Sequence, residues 1–175
     1  MRAGLALIAA FALCATPAVA QGKTKAGAVP QGVQALEMCE AFSSGDVLAV
    51  EAAVAKGWDA YPESAESPFV KSYSGSKALP GIGQASMFAL VEDYPESTVG
   101  YCRVDVSEVT GDASTEVQAI QNLGRYEGQA IQNGDGTFAS LTGTDDKTRV
   151  LLTHVDATAF VIQLTIITPK AETAE

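Results

Sequence analysis

EMCEAFSSGDVLAVEAAVAKGW, residues 37–58, holds two short helical patterns that meet at a Ser-Gly-Asp turn, with a cysteine on the first. The first pattern extends back to about Gln31 and runs to Ser43. Val33, Leu36, Cys39 and Phe42 recur at helical spacing, and Ala35 and Met38 widen the same face. Cys39 is therefore expected to point into the core. Gly45 suits a helix terminator, and the Asp46 carboxylate suits the start of the next helix, where free N–H groups need an acceptor. The second helix is expected over Val47–Lys56, with Val47, Val50 and Val54 on its apolar side. Gly57 should end it, and Trp58 should fold back onto its last turn.

The partner for Cys39 lies 63 positions on. In Val99–Glu108 the residues Cys102, Val104 and Val106 alternate with Tyr101, Arg103, Asp105 and Ser107, which is the period of a half-buried strand. Cys102 falls on the apolar face. Two inward cysteines predict a Cys39–Cys102 disulfide that ties the helical hairpin to the sheet.

The N-terminus supports an oxidising destination for that bond. Arg2, the apolar run Gly4–Leu13 and Ala18-Val19-Ala20 have the layout of a cleaved export signal over residues 1–20, leaving Gln21 first. The run is well short of the ~20 residues that span a bilayer, so no stable membrane insertion is expected after cleavage. Cys14 leaves with the signal, and the remaining pair is most simply a disulfide in a periplasmic or extracellular protein. Two cysteines and one histidine do not make a zinc site, and a redox role ordinarily needs Cys-x-x-Cys.

Residues 21–31 read as a flexible lead-in, 32–169 as one globular domain, and 170–175 as a disordered tail. Asp59–Gly83 is broken by Pro62, Pro68 and Pro80 and reads as irregular cover, with PFVKSY a short edge strand. Gln84–Glu92 is a strand before the turn Asp93–Thr98. A third helix is expected over Ser114–Leu123, with Val117 and Ile120 inward. The turn Asn133-Gly134-Asp135-Gly136 precedes a meander over Thr137–Thr142, Lys147–Val155 and Ala159–Thr168. In the last strand Phe160, Ile162, Leu164 and Ile166 share a face. The expected fold is α+β: an N-terminal helical hairpin and one further helix packed on a mainly antiparallel sheet of about five strands, in the order ααββαβββ.

Two resemblances attach to the opening stretch. GDVLAVEAAVAKGWDA, residues 45–60, resembles half of an ankyrin repeat, a unit that needs stacked copies, and the chain holds no second copy. AFSSGDVLAVEAAVAKGWDA, residues 41–60, resembles the helical opening of the cone-shaped proteins related to nuclear transport factor and ketosteroid isomerase. That likeness implies an alternative fold with a small-ligand pocket, or a lyase-like or isomerase-like enzyme, and assigns no site residue.

Charge narrows the partners. The full chain carries −10, and loss of Arg2 makes it one unit more negative. Nucleic acid and anionic membrane surfaces repel such a chain, so neither is an expected partner. No cofactor or metal is expected either. Gly22-Lys23-Thr24 lacks the first glycine of a phosphate loop, and Ser74-Gly75-Ser76-Lys77 lacks its partner motifs. Gly81-Ile82-Gly83 precedes a strand instead of following one. The acidic turn at Asn133–Gly136 lacks calcium ligands at Ile131 and Thr142. His154 is the single histidine and has no nucleophile elbow to serve. It reads as a strand-end residue sharing a face with Val150 and Leu152.

No catalytic residue is assigned. The candidate binding face is the polar side of the sheet: Tyr101, Arg103, Asp105 and Arg149, with Thr153, Gln163 and Thr165 beside them. Arginine there suits carboxylate recognition, set against ordinary cross-strand ion pairing worth under about 1 kcal/mol per pair. The sequence thus points to an exported, non-enzymatic binding or envelope-accessory protein whose partner, protein or small molecule, it does not name.

Overall fold

The computed structural model describes residues 28–145 and 148–170. The expected signal peptide, most of the lead-in, residues 146–147 and residues 171–175 lie outside them. The order of elements is α1 (Gln31–Ser43), α2 (Ala49–Ala55), β1 (Asp59–Glu63), β2 (Phe69–Leu79), β3 (Gly83–Asp93), β4 (Ser97–Ser107), α3 (Ser114–Gln121), β5 (Tyr126–Asn133), β6 (Gly136–Gly143), β7 (Thr148–Val155) and β8 (Ala159–Pro169). The α+β class and the three helices are as expected. The sheet is larger, with eight antiparallel strands where about five were expected.

Its order is β1-β2-β3-β4-β8-β7-β6-β5. Each half is a helical segment, α1 and α2 in the first and α3 in the second, followed by a four-strand meander, and the halves meet where β4 pairs with β8. Arg103 lies opposite Gln163 and Cys102 opposite Leu164. All three helices pack on one face. Against them lie Ala85, Met87 and Ala89 of β3, Cys102, Val104 and Val106 of β4, and Phe160, Ile162, Leu164 and Ile166 of β8, all buried.

Helix α1 is fixed to this face by the Cys39–Cys102 disulfide, whose Cα atoms are 5.3 Å apart, inside the range such a bond allows. One turn on, Ser43 sits over Gly100, two residues before Cys102 on the same strand face. A Cβ built at Gly100 would lie 2.8 Å from Ser43 Cα and deep inside its carbonyl group. Glycine at position 100 is therefore what lets the helix backbone rest on the strand. Glu116 of α3 accepts from the Gly32 N–H at 2.7 Å, which satisfies one of the free donors at the α1 N-terminus.

The three strands beyond the expected five have physical reasons for being hidden. In β2 the helix-facing positions are Lys71, Tyr73, Gly75, Lys77 and Leu79, so no apolar alternation shows. Lys71 Nζ donates to Gly45 O and Lys77 Nζ to Lys56 O, each at 2.7 Å. Both lysines thus neutralise the electronegative C-terminal end of a helix. Pro62 is tolerated in β1 because that strand is an edge. β5 is exposed along nearly its whole length and so carries no apolar period.

Helix α2 is shorter than expected, and its buried face is also different. Ala49 and Ala53 are buried, whereas Val47 is 83% and Val54 54% exposed. Small residues let α2 approach the sheet closely; Val50 packs against the core as expected, while Val47 and Val54 face outward. Asp46 Oδ1 does accept from a backbone N–H, that of Leu48 at 2.9 Å. Trp58 is buried, and its backbone N–H donates to Ala53 O in the last turn of α2 at 3.0 Å.

Candidate functional site

The face of the sheet away from the helices is uncovered, and it is not the polar surface that one-sided burial ordinarily leaves. Reading the register across it places Phe88 and Leu90 on β3, Tyr101 on β4, Val161 on β8, Val150 and Leu152 on β7, Phe138 on β6 and Ile131 on β5. Leu152 is 42% and Ile131 63% exposed. Over β5–β8 this surface hollows into a concavity of about 320 Å³, close to the lower limit for ligand sites. Ile131, Phe138, Leu152 and Val161 form its apolar floor and wall, and Arg103, Gln163 and His154 stand at its polar margin.

The polar groups are held by their neighbours. Asp105 accepts from Arg103 through Nε at 2.7 Å and Nη2 at 2.6 Å, and Gln163 accepts from Arg103 Nη1 at 3.1 Å. The hydrogen bonds to Asp105 raise the Arg103 pKa above its ordinary value, so the guanidinium is a fixed positive charge. His154 lies directly opposite Phe138, and the rings stack with centroids 5.2 Å apart and 16° between planes. Phe88 and Tyr101 make a second, tilted aromatic pair at 5.5 Å.

Of the residues that the sequence marks as a binding face, Tyr101, Arg103 and Asp105 do share the open side, with Gln163 and Thr165. Arg149 and Thr153 do not. They face the helices with Leu151 and Val155, because β8 places Leu164 and Phe160 opposite those two. Strand β7 offers two nearly equal apolar sets, Val150/Leu152 and Leu151/Val155, and pairing decides between them. Thr153 is tolerated inside because its Oγ1 donates to Val161 O at 2.8 Å. Arg149 is tolerated because two acids meet it: Glu40 at 3.3 Å and Asp145 at 2.6 Å. His154, read as a plain strand-end residue, instead reaches the margin of the concavity. Its place opposite an aromatic in β6 is the signal that sequence reading passes over.

Glu40 is the centre of a second polar cluster, on the helix side. Its carboxylate is clamped by Arg125 through two bonds of 2.9 Å and accepts from Tyr126 Oη at 2.8 Å. Burial, reinforced by Glu40, pushes the Tyr126 phenol far above its ordinary pKa. The Glu40 side chain is only 17% exposed. Glu40→Ala should therefore leave Arg125 and Arg149 without their shared acceptor and lower stability by about 3 kcal/mol, read as a fall in the urea midpoint. A loss below about 1 kcal/mol would mean that the cluster is only a surface ion pair.

Among the described residues, no group of three or more His, Cys, Asp or Glu side chains could hold a metal ion, and no helix is long and apolar enough to cross a membrane. Comparison of the chain with protein-family models, with curated proteins and with solved structures finds no match.

Proposed function

We propose that this is an exported, non-enzymatic binding protein that works through the uncovered face of its sheet, with the concavity over β5–β8 as the seat of the ligand. One observation carries the reading: a protein of net charge −10 exposes on this face a run of aromatic and aliphatic side chains around a hollow. Exposed apolar concavities with a few fixed polar groups are what ligand sites look like. The ligand chemistry that fits is an apolar group, ring-shaped or branched, carrying an acceptor that can reach Arg103. A free small molecule and the side chain of a protein partner both supply it.

Export to the periplasm or beyond is supported by the N-terminal signal pattern, with residues 1–20 removed, and agrees with the Cys39–Cys102 bond. Binding rather than catalysis is supported by the state of the best acid–base candidates. Glu40 and Tyr126 are bonded to one another and to two arginines, and the Arg103 charge is matched by Asp105. The lyase-like alternative on a cone-shaped fold needs an enclosed pocket with an available acid, so it has less support than the binding reading.

The test uses 8-anilinonaphthalene-1-sulfonate, an aromatic anion, as a probe of the site. Its fluorescence should rise on the native full protein with saturable, micromolar binding. Leu152→Glu, at an exposed position, should weaken that binding at least tenfold while the thermal midpoint stays put. Unchanged probe binding in Leu152→Glu would place the apolar site elsewhere and defeat the proposal.

A further inference from the structure

The two ends of the sheet are protected unequally. Edge strand β1 is five residues long, carries Asp59, Glu63 and Pro62, and is backed by α2. Edge strand β5 is eight residues long, seven of them exposed, with no proline or lysine and a single ionisable carboxylate, Glu127. Acids, proline and shortness are how sheets block further pairing, and a long open edge is a template for another strand.

The hairpin fixes which groups β5 offers. Asn133 pairs with Gly136 across the two-residue loop Gly134-Asp135, and Gly134 has φ 60 as the first turn residue, the pattern of a type II′ turn. Pairs that exchange hydrogen bonds with β6 then fall at Asn133, Ile131 and Gln129, because bonded and non-bonded pairs alternate in an antiparallel ladder. Ala130 and Gln132 turn their N–H and C=O groups outward.

We propose that β5 pairs antiparallel with β5 of a second copy of this chain, about a twofold axis at Ala130, joining two eight-stranded sheets into one. The lack of charge at this edge favours a second copy of this acidic chain as the occupant. Ser114, Gln118 and Gln121 of α3, together with Ala130, Gln132 and Thr137, line the edge on the helix side, and Gln129 and Ile131 line it on the open side. None is charged, although the chain as a whole is strongly acidic. In the Ala130 register Glu127 falls opposite Asn133 of the second copy, so no carboxylate meets another. Gln129 falls opposite Ile131, and the two Ile131 side chains become diagonal neighbours within contact reach. The most exposed apolar residue of the open face is thereby covered, and the two concavities become continuous.

About a dozen residues per copy would bury roughly 400 Å² each, half of a standard interface, so the dimer belongs to the weak, reversible class. Pairing at β5 is independent of what the concavity binds.

Sedimentation equilibrium on the native protein from about 5 to 500 µM should show a reversible monomer–dimer equilibrium within that range, as suits a small interface. Ala130→Pro removes an N–H that β6 does not use, so the folded monomer should persist by circular dichroism while dimer affinity falls at least tenfold. If that variant fails to fold, Ala130→Cys decides. Two cysteines facing across the axis should form a covalent dimer under mild oxidation, at the ~5.5 Å Cα separation of a bonded pair. A protein that stays monomeric at 500 µM, a folded Ala130→Pro that dimerises like the parent, or an Ala130→Cys that yields no covalent dimer would overturn the proposal.

Discussion

Gly100→Ala is expected to be the most damaging single-methyl change in the protein, with a stability loss above about 4 kcal/mol or no soluble folded product. The added Cβ meets the backbone of Ser43, not a side-chain tip that could swing aside. Relief requires lifting the end of α1 from β4, and α1 is held down one turn earlier by Cys39–Cys102. That lift would uncover Phe42, Leu36 and the β4 residues beneath them, all fully buried. Urea unfolding of the purified variant measures the effect. A loss within about 1 kcal/mol would show that helix and strand do not touch through their backbones here.

Removal of the disulfide is the second large effect. Cross-linking residues 63 positions apart restricts the unfolded chain by about 4 kcal/mol on the chain-entropy account. Cys39→Ala combined with Cys102→Ala, or the parent unfolded with and without reductant, should differ from the oxidised protein by about that amount. For a domain whose whole stability is of order 5–15 kcal/mol, that loss is a large share of the total. A difference under about 1 kcal/mol would mean that α1 stays seated by packing alone.

The clamp was the most legible part of the fold. Cys39 belongs to a clean helical stripe and Cys102 to a clean alternation, and each periodicity pointed inward on its own. Val117 and Ile120 of α3, and Phe160, Ile162, Leu164 and Ile166 of β8, were readable for the same reason: burial is one-sided there and every inward residue is apolar. Strand β2 shows in the sequence only as PFVKSY, a short edge strand, whereas it is an eleven-residue interior strand between β1 and β3, and Lys71 and Lys77 at inward positions hide the rest of its period. Their charges are matched by helix C-terminal carbonyls contributed from residues 26 and 21 positions away. No local pattern contains that information.

Strand β5 fails for the opposite reason, since an exposed edge imposes no period at all. The site shows the same limit. Arg103, Asp105 and Tyr101 stand out against the buried set of β4, and their polar alternation places them on the open side, where they lie. Arg149 was misplaced because the side chains of β7 divide almost evenly by hydropathy, and only the register with β8, together with Glu40 on α1, sends the guanidinium inward. The concavity itself could not be read, because Ile131, Phe138, Leu152 and Val161 come from four strands and converge only through their order in the sheet.

The sheet has one face closed by the clamp and one face left uncovered. Methyl-detected NMR of the native protein, titrated with 8-anilinonaphthalene-1-sulfonate, tests that division most directly. Ile131, Leu152 and Val161 should shift with a common saturation curve, while Leu36, Val104, Ile162 and Leu164 stay still. Shifts concentrated among the helix-side methyls, with the open-face methyls unmoved, would contradict it.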